Sequence, residues 1–181
     1  MAGTMNAQKF SWAVFFLLLL FAVTFVMYTV PSMPAKVASH FDAAGYPNAF
    51  MTRSGYTGFV LALAIGLPVA LVALLTFVYS HANDMKLPNR DYWLAPEHIE
   101  QTRAILVTHA IWFGSLLVCM ACFVHWLELR AHQLVPPQLS NSLFGAGLLT
   151  FFVITGGWLI VMLLAFRRPA PPRIRREPPL E

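Results

Sequence analysis

Apolar residues fall into four long runs separated by short polar stretches. No Asp, Glu, Lys or Arg occurs in residues 10–35, 54–83, 104–127 or 131–166. A helix needs about 20 residues to cross roughly 30 Å of hydrocarbon, and each run is longer than that. The pattern predicts membrane spans over about residues 10–30, 57–79, 102–126 and 143–166. The first run is too long for a signal-peptide core and no small-x-small cleavage pattern follows it, so it reads as a retained helix. Pro68 removes a backbone donor inside the second span and predicts a kink there. Gly58, Ala62 and Gly66 recur every four residues, and Gly145, Gly147 and the Gly156-Gly157 pair punctuate the fourth span. Small residues so placed predict close helix–helix contacts. Only helices and closed barrels satisfy the backbone in lipid. The expected fold is therefore all-α: a polytopic bundle of four transmembrane helices over residues 1–166, with an ordered loop between the first two. Residues 167–181 form a basic, proline-rich tail.

Composition agrees with the pattern. Charged residues make up 11%, against about 25% in soluble domains. Hydrophobic residues make up 58% and the mean hydropathy is +0.64, which excludes an ordinary soluble enzyme. The net charge of +4 changes the picture only through its placement. Arg167, Arg168, Arg173, Arg175 and Arg176 follow the last span and suit an anionic lipid surface, not nucleic acid. With Lys9, Lys86, Arg90 and Arg103 they place nine basic residues on one side. Lys36, Arg53 and Arg130 place three on the other. The asymmetry predicts both termini in the cytoplasm and the first and third loops outside.

The first loop reads Pro34-Ala35-Lys36-Val37-Ala38-Ser39-His40-Phe41-Asp42-Ala43-Ala44-Gly45-Tyr46-Pro47-Asn48. Gly45 can supply positive φ, Pro47 stiffens the chain, and His40 and Asp42 can hydrogen-bond to backbone or to each other. Pro34, Val37, His40, Phe41, Asp42, Gly45, Pro47 and Asn48 follow a Pro-x-x-Val/Ile-x-x-His-Phe-Asp/Asn-x-x-Gly-x-Pro-Asp/Asn pattern between two spans. This resembles the bacterial membrane family known as domain of unknown function 1648, over roughly residues 10–78. The same module occurs in SdpI-like immunity proteins, which protect a producing bacterium from its own membrane-active toxin, and some of which hold a repressor at the membrane. The resemblance implies a multi-pass protein of the bacterial cytoplasmic (inner) membrane. Its implied partners are a peptide toxin or envelope protein outside, or a cytoplasmic regulator.

The second loop carries Leu87, Pro88, Asn89, Arg90, Tyr92 and Trp93. Asn89 after Pro88 favours a turn, and the two aromatics suit the headgroup layer. The segment reads as an interfacial anchor leading into the third span, with a docking surface for a cytoplasmic partner as the functional alternative. It is similar to a Leu-Pro-Asn-Arg-x-Tyr-Trp-Leu segment in short members of the same family.

Candidate chemistry is sparse. His109 lies within the third span, where a polar contact to a neighbouring helix is the simpler role. Cys119 and Cys122 have Cys-x-x-Cys spacing in apolar surroundings that disfavour a thiolate, so packing is expected. His125, Glu128 and His132 fall on one helical face at the outward end of the third span. With His40 and Asp42 they define a candidate outward metal site, and His40, Asp42, His125 and Glu128 would suit zinc or a similar divalent ion. Solvated interfacial side chains are the simpler reading of the same residues. No catalytic constellation is evident. The leading expectation is a non-enzymatic binding protein without a cofactor, embedded in the bilayer and able to self-associate. The rivals are a metal-dependent membrane protein and a small transporter or accessory subunit.

Overall fold

Long apolar runs without charges leave the backbone one way to satisfy its polar groups in lipid, and the chain takes it. A computed structural model describes residues 2–81 and 85–167, with side chains from Asn6 onward. The proline-rich tail beyond Arg167 lies outside the described residues. Six helices and one hairpin follow in order: α1 (Ala2–Thr29), β1 (Lys36–Phe41), β2 (Pro47–Thr52), α2 (Arg53–Leu61), α3 (Leu67–His81), α4 (Arg90–Trp93), α5 (Ile99–Ala131) and α6 (Asn141–Ala165). Four helical segments are long and apolar enough to cross a membrane: Asn6–Ser32, Arg53–His81, Ile99–Ala131 and Asn141–Ala165. The four expected spans are present, and the second and third extend further than hydropathy indicates. Glu100, Arg103, Glu128 and Arg130 continue α5 past its apolar stretch, because hydropathy measures hydrocarbon thickness and not helix length.

α5 is the central helix. Leu106, Val107, Ala110, Ile111, Gly114, Val118, Cys122 and His125 recur at three- and four-residue steps and are buried. Phe15 and Ala22 of α1 and Val72 of α3 meet this stripe in one core. Nearer the hairpin, Val26, Val30, Met33, Val37, Tyr56 and Val60 form a second cluster. Among the long helices α6 packs chiefly on α5, and it has no buried residue of its own.

One sequence expectation is made specific here and another changes. Pro68 is accommodated by a π-helical turn, Ala62–Gly66, whose wider ring is closed by Leu67 N–H donating to Ala62 O. The Gly58–Ala62–Gly66 stripe is exposed, and a Cβ at Gly58 or Gly66 would meet nothing within 4 Å, so neither glycine permits a close helix approach among the described residues. The close approach is at Gly114 instead, where a Cβ would collide with Val72 and crowd Phe15. On α6 only Gly147 is tightly packed, against the Phe123 ring; Gly145, Gly156 and Gly157 have open space.

The ordered loop after α1 is an antiparallel hairpin, which an all-α reading does not contain. Lys36 pairs with Thr52, Val37 with Met51, Ala38 with Phe50, His40 with Ala49 and Phe41 with Pro47, with irregular register between Ala38 and Phe41. An isolated two-stranded hairpin is marginal in water. This one is sustained by Val37 and Ala38, which are fully buried against the bundle.

Candidate functional site

The motif residues of the first loop build the hairpin turn. Asp42 Oδ1 accepts from the N–H groups of Ala44 and Tyr46, both at 2.9 Å. Gly45 adopts φ +84°, a conformation that side chains disfavour. A Cβ at Gly45 would also strike the Leu139 carbonyl, because the turn lies against the loop between α5 and α6. Leu139 N–H donates to Gly45 O at 2.8 Å, and Asn141 Nδ2 donates to Ala43 O at 2.7 Å. His40 Nδ1 donates to Asn48 Oδ1 at 2.6 Å, tying the strands together. Arg53 Nη1 anchors the other end by donating to the carbonyls of Pro31 and Met33 at 3.0 Å each. The hairpin is thus held at its turn, across its strands and at its base. Its exposed side carries His40, Tyr46 and Phe50, the last 55% exposed.

Beneath the hairpin lies a polar chain that the sequence did not reveal. His125 is fully buried, with Nδ1 2.8 Å from the Tyr56 hydroxyl and Nε2 2.8 Å from Thr29 Oγ1. Thr29 Oγ1 already donates to Phe25 O at 2.6 Å, so it accepts from His125. That fixes the order: Tyr56 O–H donates to Nδ1, Nε2–H donates to Thr29, and Thr29 donates to Phe25 O. One ring proton satisfies the whole chain. His132 is determined in the same way. Ala38 N–H donates to its Nε2 at 3.1 Å, so its Nδ1 carries the proton and donates to Glu128 O at 2.8 Å. His132 therefore ties β1 to the end of α5.

These bonds separate the residues proposed for a metal. His125 has both ring nitrogens engaged inside the bundle, whereas His40 and Asp42 are used in the hairpin. Among the described residues no group of three or more His, Cys, Asp and Glu is placed to hold a metal ion. His40, Asp42, His125 and Glu128 do not form one site. Helical spacing put His125 and Glu128 on one face correctly, but it could not show that the face turns into the bundle.

At the opposite end of the bundle, the second-loop motif forms a lock. Asn89 takes left-handed backbone angles, φ 53° and ψ 42°, which Asn tolerates better than most residues. Its Nδ2 donates to Phe166 O at 3.0 Å, and Trp93 Nε1 donates to the same carbonyl at 2.8 Å. A helix C-terminus leaves carbonyls without partners, and two side chains close this one. Trp93 also packs edge-on against the Phe166 ring, centroids 5.5 Å apart, and Thr102 Oγ1 donates to Trp93 O at 2.7 Å. Of the remaining motif residues, Leu87 and Tyr92 pack around this cluster, and Arg90 opens α4. Nothing in the spacing of 87–93 points to a carbonyl more than seventy residues away. His109 sits edge-on to Trp158 of α6, centroids 5.7 Å apart, consistent with a contact between helices.

Four apolar helices with a pinned hairpin at one end and an aromatic lock at the other define a multi-pass membrane protein. Residues 9–66, from the start of the first span to the end of the π-helical turn, match the family model described as Domain of unknown function (DUF1648), and the chain carries that family's module. The match covers α1, the hairpin and α2, the elements that supply Thr29, His40 and Tyr56. The chain matches no curated protein and no solved structure.

Proposed function

We propose that this is a non-enzymatic, SdpI-like protein of the bacterial cytoplasmic membrane whose hairpin binds an envelope polypeptide, a membrane-active peptide toxin being the leading candidate. The observation that carries the reading is the rigid mounting of an exposed hairpin. It is fixed by Asp42, Gly45, Arg53 and His132, yet it presents His40, Tyr46 and Phe50 outward. Preorganised surfaces lose less entropy on binding. Asn48, Ala49 and Phe50 of β2 are all exposed, and an exposed strand is a ready template for an extended peptide. The basic asymmetry of nine to three supports placing this face outside, with both termini and the Asn89–Trp93 lock in the cytoplasm.

A cytoplasmic regulator is the second reading. A cavity of about 380 Å³ lies beside the lock, lined by Asn89, Arg90, Asp91, Tyr92, Ala95, Glu97 and His98. Quantitative mass spectrometry of polypeptides retained by the wild type and by the His40→Ala/Phe50→Ala protein discriminates the two. The proposal expects one polypeptide to be lost from the variant. An unchanged set of retained polypeptides rejects the hairpin as the working surface.

A further inference from the structure

A groove opens beside the buried histidine, between α2, the π-helical turn and α3 on one side and α5 on the other. Its volume is about 220 Å³. Leu63, Leu67 and Met120 line its length, and Tyr56, His125 and Glu128 close the end nearest the hairpin. The volume falls below the roughly 300–1,000 Å³ of a drug-sized site and suits a single narrow chain.

The polar end of the groove has an imbalance. The Tyr56 hydroxyl donates to His125, and the His125 ring proton goes to Thr29. The His132 ring proton goes to the backbone carbonyl of Glu128. The Tyr56, His125 and His132 protons are thus all engaged elsewhere. Among the described residues Glu128 Oε2 is buried without a hydrogen-bond partner, and His132 Nδ1 is 3.9 Å away. A buried carboxylate oxygen without a donor is costly, and proteins rarely leave one empty. Among the described residues no Lys or Arg lines the groove. It therefore offers a carboxyl oxygen as an acceptor, and its lining supplies neither a free donor nor a basic side chain.

Depth adds a second constraint. Glu128 lies three residues before the end of α5 at Ala131, about 4.5 Å inside it at 1.5 Å per residue. Met120 lies eight residues further in, about 12 Å deeper. A carboxyl near the membrane surface and an apolar channel running inward match the shape of a lipid.

We propose that this groove binds one membrane lipid with a primary ammonium headgroup, the ammonium donating to Glu128 and one acyl chain lying against Leu63, Leu67 and Met120. The site is separate from the hairpin surface and does not depend on what that surface binds. The test uses the full-length protein released from vesicles of equal phosphatidylethanolamine and phosphatidylglycerol, read by native mass spectrometry. The expected result is one phosphatidylethanolamine retained per chain, with about tenfold preference over phosphatidylglycerol, the scale of one charge-assisted hydrogen bond in a desolvated site. Glu128→Gln keeps the shape and abolishes the preference. Leu63→Trp fills the channel and reduces retention of both lipids, whereas His40→Ala/Phe50→Ala retains phosphatidylethanolamine as the wild type does. Equal retention of the two lipids by the wild type, a preference for phosphatidylglycerol, or an undiminished preference in Glu128→Gln overturns the proposal. The wild-type competition needs no variant to fold.

Discussion

Gly45 shows how much of the outer surface rests on one residue. Its φ of +84° is costly for any residue with a Cβ, and a Cβ there would also meet the Leu139 carbonyl. Gly45→Ala is expected to lower stability by about 1–3 kcal/mol, the usual range for a strained backbone position. Thermal unfolding in detergent measures the loss, and limited proteolysis should cut first within residues 42–48. An unchanged unfolding temperature and cleavage pattern would mean the turn is not docked as described. The need for Gly45 was legible in the sequence, because a Gly between Asp42 and Pro47 is a turn signal. The roles of Thr29, Tyr56 and His132 were not. Each is paired with a group distant along the chain, and local spacing carries no information about such partners.

At the scale of elements, the helices were readable and the hairpin was not. Four charge-free runs dictate four spans, since lipid offers the backbone no other partner. The strands are six residues each, and β2 shows no alternation of buried and exposed positions. A hairpin stabilised by docking leaves little trace of its own in the sequence. α6 is the element most dependent on its ends. It packs chiefly on α5 among the long helices, and the Phe166 carbonyl just past its end is held by Asn89 and Trp93. Trp93→Phe keeps an aromatic ring and removes the donor, a loss of about 1 kcal/mol. Amide hydrogen exchange over the last turn of α6 should then quicken roughly fivefold, the rate change that such an energy allows, while exchange in α1 stays as it was. Equal acceleration in both helices would point to general destabilisation and not to a local lock.

The whole molecule has two differently built ends joined by α5. One end is a pinned hairpin with an exposed aromatic and imidazole surface, and the other is an aromatic lock flanked by basic residues. The proposed function depends on the hairpin end facing outward, and the charge asymmetry is the physical argument for it. Single cysteines introduced by Phe50→Cys and Asp91→Cys, in a background with Cys119→Ser and Cys122→Ser, test this most directly. A membrane-impermeant maleimide applied to intact cells should label the Phe50→Cys protein and leave the Asp91→Cys protein unlabelled until the membrane is permeabilised. Labelling at position 91 in intact cells, with position 50 protected until permeabilisation, would put the hairpin inside and contradict the account.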